Sequence, residues 1–176
     1  MAQVEIIIGP MYSGKTTELI RRCSRYQSIG KNVTVINHSF DTRCDANEIS
    51  THSKNTYKAV KTEKLLDLDL LPMPNIIGID EAQFFPDLLQ FVKYCEQFKC
   101  VIIIAGLDGD FQRNNFGGIH KCIPLCDSIV KLNAMCCVCN DGTPGCFTKK
   151  VDSNDKTLID IGGKDKFIAV CRKHYF

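Results

Sequence analysis

Three groups of residues in this chain have types and spacings suited to chemistry. The first is Gly9-Pro10-Met11-Tyr12-Ser13-Gly14-Lys15-Thr16, which fits the pattern G-x-x-x-x-G-K-[ST] at every fixed position. Glycines let the main chain wrap closely around phosphate oxygens, with several N–H groups pointing inward. A helix that starts at such a loop adds its positive N-terminal end. Lys15 is then placed to reach the β- and γ-phosphates of a nucleoside triphosphate, and the Thr16 hydroxyl to hold Mg²⁺. The second group is Asp80-Glu81, two acids that close the apolar run 76–79. An acid at that place is the second nucleotide-binding feature of phosphate-loop enzymes. Asp80 would bind Mg²⁺, directly or through water. Glu81, next in line, points another way and is available for a different task.

The third group is Cys136, Cys139, Cys171 and His174, which could make a tetrahedral Zn²⁺ site from two knuckles. The chain has 11 cysteines, so C-x-x-C spacing arises easily by chance. The stronger argument is that the two pairs bracket a small hairpin-rich segment with little apolar material, and such a segment needs a staple. A closed set of four ligands suits a structural metal. Cys137 and Cys146 are rival ligands, and a set of plain buried thiols is the alternative.

The elements that must position these groups read as an open α/β sheet. The run 4–8 is an apolar strand, and residues 16–28 follow the loop as a helix with Leu19, Ile20, Cys23 and Tyr26 on one face. Gly30 stops that helix, and 33–36 is a second strand. Strand, helix and strand in this order imply a parallel pair with a right-handed crossover. Residues 37–54 are polar and irregular, and Asp41-Thr42-Arg43 puts an acid and an arginine beyond the second strand. A short helix is expected over 63–71, ended by Pro72 and Pro74. Strand 76–79 carries the two acids. Phe84 and Phe85 line a pocket or join the core. A helical stripe through Leu88, Leu89, Phe91, Val92 and Cys95 leads to the buried strand 101–105. Beyond it come Leu107, Phe111, Arg113 and Phe116. A helix over 119–126 and a strand over 129–132 complete the sheet. Ligands of such sheets bind at the carboxyl ends of the strands, where the phosphate loop, Asp41 and Arg43, Asp80 and Glu81, and the segment from Leu107 to Phe116 are expected to gather. The expected division is 1–133 for the phosphate-loop domain and 134–176 for the small metal-binding part. Within the latter, 152–155 reads as a turn in a long loop, either a lid or a plain hairpin.

Composition narrows the partners. At 176 residues the chain has room for one domain, or one with a small appendage. A net charge of +2 gives no strong footprint for nucleic acid or an anionic membrane. No apolar run approaches a membrane span, and the start has no signal-peptide pattern, so a cytoplasmic protein with reduced cysteines is expected.

The pieces therefore specify a Mg²⁺-dependent enzyme of nucleoside triphosphates. Glu81 separates two reaction types: as general base toward a substrate hydroxyl it gives a kinase, and as a water-orienting group it gives an ATPase. Asp80-Glu81-Ala82-Gln83 resembles the acid motif of helicases, but a helicase core needs two such domains. A nucleotide sensor with a zinc knuckle is a third, binding-only reading.

The chain resembles, nearly end to end, the thymidine kinases of the cellular cytosolic and poxvirus type. The matching strings are residues 9–19, Asp41-Thr42-Arg43, Thr51-His52, residues 77–87, Leu107-Asp108-Gly109 with Phe111-Gln112-Arg113, Val130-Lys131-Leu132, and residues 161–167 running into Cys171. The resemblance implies a P-loop, RecA-like, mostly parallel sheet flanked by helices, with a C-terminal zinc-binding subdomain carrying a lasso loop. It implies transfer of a phosphoryl group from ATP to the 5′-hydroxyl of deoxythymidine. Glu81 would be the base, Lys15 and Thr16 would hold phosphates and Mg²⁺, and Asp80 would stand in the metal's shell. Asp41 and Arg43 would lie near the transferring phosphoryl group. Met11, Phe84, Leu107, Phe111 and Phe116 would pack around base and sugar. The lasso role would fall to Thr148, Ile161, Gly162 and Phe167. The family further implies a homotetramer and inhibition by deoxythymidine triphosphate (dTTP). The chain departs from the family pattern at Asp110, at Asn114-Asn115, at Phe167 where tyrosine is usual, and at His174 where cysteine is usual. Imidazole is an acceptable Zn²⁺ ligand. None of these departures touches Glu81 or the phosphate loop.

Overall fold

The computed structural model describes residues 1–40, 48–50, 56–152 and 166–176. Its strands in chain order are β1 Gln3–Gly9, β2 Val33–His38, β3 Glu48–Ser50, β4 Thr56–Lys58, β5 Val60–Thr62, β6 Ile76–Ile79, β7 Val101–Leu107, β8 Ser128–Lys131, β9 Ala134–Met135, β10 Pro144–Gly145, β11 Phe147–Lys150 and β12 Phe167–Val170. The helices are α1 Lys15–Ser28, α2 Leu88–Cys95, α3 Ile119–Cys122 and α4 Arg172–Tyr175.

Six strands form one sheet in the order β5-β2-β6-β7-β1-β8. Every neighbouring pair in it is parallel. This explains the apolar runs. A parallel strand covered on both faces must be apolar at consecutive positions, not at alternate ones. In β1 the residues Ile6, Ile7 and Ile8 are all buried, and β6 is buried along its whole length. One face packs Ile77, Ile79, Ile102 and Ile104 against Leu88, Phe91 and Val92 of α2. The other packs Ile7, Ile103 and Ala105 against Leu19 and Cys23 of α1. Full burial of a side chain such as Phe91 contributes about 1.5–3 kcal/mol, so these two layers dominate the stability.

Because all six strands run the same way, their carboxyl ends share one edge. The loop after β1, His38 at the end of β2, Asp80 after β6 and Leu107 at the end of β7 all open there. The strand bearing the phosphate loop and the strand bearing the two acids are not adjacent, since β7 lies between them.

Three local expectations differ from the structure. The helix expected over 63–71 is only a single 3₁₀ turn, Leu65–Asp67. Its leucines are too dense to make one apolar stripe, and the prolines beyond forbid extension. The helix expected over 119–126 is α3 followed by a 3₁₀ turn, Ile123–Leu125, with Pro124 at the break. The tract read as irregular contains β3, and β5 adds an edge strand beyond β2.

The part after β8 has two antiparallel pairs, β9 with β10 and β11 with β12. Cys136, Val170 and Cys171 form its small buried cluster, backed by Phe147 and Tyr175. The strand-like run 157–161 and the turn at 152–155 lie largely outside the described residues.

Candidate active site

The phosphate loop leaves β1 at Gly9 and enters α1 at Lys15. Gly14 caps the helix with φ +84°, a left-handed conformation that glycine adopts at little cost. Inside the loop, the Ser13 hydroxyl and the Lys15 ammonium both donate to the carbonyl oxygen of Pro10, each at 2.8 Å. Tyr12 also takes a positive φ of 65°. Non-glycine residues in this region cost strain and concentrate at functional sites.

The Thr16 hydroxyl donates to Asp80, 3.0 Å from one carboxylate oxygen and 3.2 Å from the other. Asp80 is buried, and its own N–H donates to Ile36 at 2.9 Å. A hydroxyl and a carboxylate brought together are hard oxygen donors, the type that Mg²⁺ selects. Glu81 follows with φ 50° and ψ 40°, a left-handed residue that is not glycine. That turn separates its side chain from Asp80. Its carboxylate accepts a 2.7 Å hydrogen bond from Gln83 Nε2.

Two aromatic groups stand on the loops and strands named above, the first next to these acids. Phe84 meets Phe116 edge-on at 5.6 Å and Phe40 at 6.1 Å. His38 stacks on Phe40 at 4.8 Å and touches Phe85 edge-on at 4.8 Å. Burial, opposed only in part by Glu63, lowers the His38 pKa and favours a neutral ring. Its Nδ1 accepts the Phe40 N–H at 3.1 Å. Phe85 is core, so of the aromatic pair Phe84-Phe85 only the first turns toward the site. The second group is Phe111 and Phe167, 6.3 Å apart, with the Lys150 ammonium over both rings at 5.4 and 5.6 Å.

The β11–β12 pair reaches back to the phosphate loop. Thr148 is buried on β11, and its hydroxyl oxygen accepts the Met11 N–H at 3.0 Å. Leu107 stands at the end of β7, and Asp108 after it pairs with Lys131 at 2.6 Å. The structure thus brings together Met11 with Thr148, Thr16 with Asp80, Phe84 with Phe116, and Phe111 with Phe167. Asp41, Arg43, Ile161 and Gly162 lie outside the described residues.

Among the described residues, one cluster could hold a metal. The ligand atoms of Cys136, Cys139, Cys171 and His174 all lie within 4.8 Å of one another. His174 Nδ1 is 3.6, 3.3 and 3.4 Å from the sulfurs of Cys136, Cys139 and Cys171. Three sulfurs and one imidazole nitrogen converging in this way fit zinc. Burial disfavours ionisation of Cys136, but the amides of Cys139 and Cys171 and the His174 ring outweigh it and bring the thiol down to about 5. Burial, then the neighbouring sulfurs, push Cys139 up to about 11. Cys137 is exposed and Cys146 half-buried, and neither joins the cluster. Cys23, Cys95, Cys100 and Cys122 are buried thiols.

Several residues join this site without a role expected from the sequence. For Gln83 the available signal is a polar residue set between the apolar Ala82 and Phe84-Phe85. Lys150 lies two positions after Thr148 on the same strand face, which alternation could have shown. His38 and Phe40 carried no local signal, because their partners are distant in sequence. No helix of the described residues is long and apolar enough to cross a membrane.

Comparison with known proteins adds the last observation. The sequence model of the family described as thymidine kinase matches residues 2–175. A thymidine kinase of Raccoon poxvirus is 42% identical over 173 residues, covering 98% of this chain and 96% of its own length. The cytosolic thymidine kinase of Gallus gallus is 40% identical over 175 residues, covering 99% of this chain and 77% of its own. A thymidine kinase of Variola virus is 42% identical over 173 residues, with 98% and 96% covered.

Proposed function

The chain belongs to the thymidine kinase family, and on that premise we propose that it transfers the γ-phosphoryl group of ATP to the 5′-hydroxyl of deoxythymidine. The observation that supports this most is the contact of Thr16 with Asp80, with Glu81 turned away on the next residue. It supports a reading in which a triphosphate and its metal meet Thr16 and Asp80 while Glu81 serves a separate task.

In this reading the N–H groups of the loop from Gly9 to Thr16 hold the β- and γ-phosphates. The Lys15 ammonium leaves Pro10 for a phosphate oxygen. Thr16 and Asp80 would hold Mg²⁺, which supplies positive charge against the phosphate oxygens. Glu81 accepts the proton of the 5′-hydroxyl as the oxygen bonds to the γ-phosphorus. The bond to the β–γ bridging oxygen breaks, and ADP leaves. Arg43 serves the transferring phosphoryl group, with Asp41 beside it. Met11, Phe84, Leu107, Phe111 and Phe116 wall the acceptor site. Thr148, Ile161, Gly162 and Phe167 take the role of covering the pyrimidine.

Cys136, Cys139, Cys171 and His174 hold a structural Zn²⁺, and residues 134–176 form the part that it staples. A cytoplasmic homotetramer inhibited by dTTP at the acceptor site completes the reading, which rests for those points on the family alone. Incubation with labelled ATP and each deoxynucleoside tests the function. Label on deoxythymidine is the expected result. Free phosphate without transfer would instead indicate a phosphate-loop ATPase.

A further inference from the structure

We propose that Gln83 is a positioning residue that orients the Glu81 carboxylate against the end of β7. The inference rests on the kinase reading for the role of Glu81. A general base works only if its carboxyl plane faces the proton it takes. A glutamate has three rotatable bonds and no intrinsic direction, so something must fix it. Gln83 Nε2 donates to Glu81 Oε2 at 2.7 Å, a short bond of the charge-assisted kind. The same amide is held at its other end, where Oε1 accepts the N–H of Leu107 at 3.0 Å. The two contacts fix the sense of the amide. The carboxylate needs a donor and the main-chain N–H needs an acceptor, so the flipped orientation would break both bonds.

The surrounding chain is shaped for this side chain. Gln83 is only 4% exposed, unusual for a glutamine. A Cβ on Gly106 would stand 2.6 Å from Gln83 Oε1, and one on Gly117 would strike the Gln83 carbonyl group. Gly117 also has φ +66°. Gly106 thus leaves room for the side-chain amide, and Gly117 for the main chain that carries it. Leu107 is the proposed wall of the acceptor site. Gln83 therefore ties the base to the wall, and both keep one geometry relative to the nucleoside.

Gln83→Met and Gln83→Leu test the assignment. Methionine keeps the length of the side chain and adds no charge beside Glu81, but it cannot donate to the carboxylate. A purely structural role predicts that Gln83→Met loses stability with kcat unchanged. The positioning role predicts kcat lower by on the order of 10²-fold in both variants, with KM for ATP and for deoxythymidine within about threefold. Gln83→Met with kcat within threefold of wild type overturns the proposal, and so does a rise in KM at unchanged kcat. A second measurement does not depend on turnover. The side-chain amide resonances of Gln83 in ¹⁵N-labelled protein should be protected from exchange and should shift in Glu81→Ala. Resonances at the solvent-exposed position, unmoved by Glu81→Ala, overturn the assignment even if a variant fails to fold. Wild-type protein that transfers nothing to deoxythymidine counts against the kinase reading, whereas the amide resonances judge the Glu81–Gln83 contact by itself.

Discussion

The hydroxyl of Thr16 lies 3.0 Å from a carboxylate oxygen of Asp80, across 64 positions of sequence. Thr16 lies in the first turn of α1 and Asp80 follows β6, and although the strands before them are not neighbours, the start of α1 lies over the end of β6. The contact predicts a specific defect. Thr16→Ala removes one oxygen donor from the proposed Mg²⁺ site and leaves the sheet untouched. The Mg²⁺ concentration for half-maximal activity should rise by about tenfold, while Thr16→Ser should stay within about threefold of wild type. A Mg²⁺ titration of phosphoryl transfer checks this. An unchanged midpoint in Thr16→Ala would remove Thr16 from the metal's shell.

Glu81 occupies a left-handed turn that separates it from Asp80, which suits the proposed division of work between the two acids. Glu81→Gln keeps the size of the side chain and abolishes its basicity. Turnover should fall on the order of 10²–10⁴-fold while ATP binding, read by calorimetry, stays the same. Turnover within threefold of wild type would show that another group takes the proton.

The site was legible where phosphate chemistry dictates short-range spacing. Glycine, lysine and threonine must occupy fixed places in one loop, and an acid must end one strand, so 9–16 and 80–81 stand out without any tertiary information. The central strands were legible for a related reason, since burial on both faces leaves continuous apolar runs such as 101–105. The edge strand β5 was not. Val60 is exposed there, and the other two residues are half-buried, so no apolar run marks the strand. The cluster of His38, Phe40, Phe84 and Phe116 joins β2, the turn after β6 and the loop before α3, and no local pattern links them. The candidate metal ligands show a third case. Spacing puts forward Cys136, Cys139, Cys171 and His174 with Cys137 and Cys146 as rivals, and the packing of β9 and α4 makes the first four the convergent set.

Acid stability should depend in part on Glu18. Hydrogen bonds from Arg21 come first, opposed by partial burial and helped by Arg22, and they hold its carboxyl down at about 2. Arg22 in turn reaches Glu5 of β1 at 2.6 Å, so the network ties α1 to the sheet. The folded pKa lies below the unfolded one. The stabilisation is therefore complete above the unfolded value of 4.5 and is lost as pH falls toward 2. The carboxylate is partly solvated, so its worth is about 1 kcal/mol or less. Glu18→Gln should lower Tm by about 2–4 °C at neutral pH, and the gap should narrow below pH 4.5. Melting curves from pH 7 to pH 3 decide it. A gap that stays constant through that range would mean packing, not charge, is what the variant lost.

Zinc should matter to the acceptor site through Tyr175. The helix α4 has four residues, Arg172–Tyr175, too few to stand without an anchor. Cys171 and His174 anchor it at both ends. From it, the Tyr175 hydroxyl donates to the carbonyl oxygen of Phe111 at 2.8 Å, and the Arg113 guanidinium lies 4.3 Å over the Tyr175 ring. Phe111 and Arg113 belong to the loop that walls the proposed nucleoside pocket. The expected metal content is about one zinc per chain, measured by elemental analysis of protein purified without added metal. Removal by a chelator should free α4 and then the loop, so KM for deoxythymidine should rise by about tenfold with a smaller change for ATP, whose proposed phosphate site is the loop before α1. Tyr175→Phe keeps the ring and loses one hydrogen bond of about 1 kcal/mol, so its KM for deoxythymidine should rise about fivefold with zinc still bound. If stripped protein binds both substrates as well as the loaded form, the cluster and the pocket are independent. If Tyr175→Phe alone is silent, the coupling runs through Arg113 and the ring, and Arg113→Ala should then reproduce the loss.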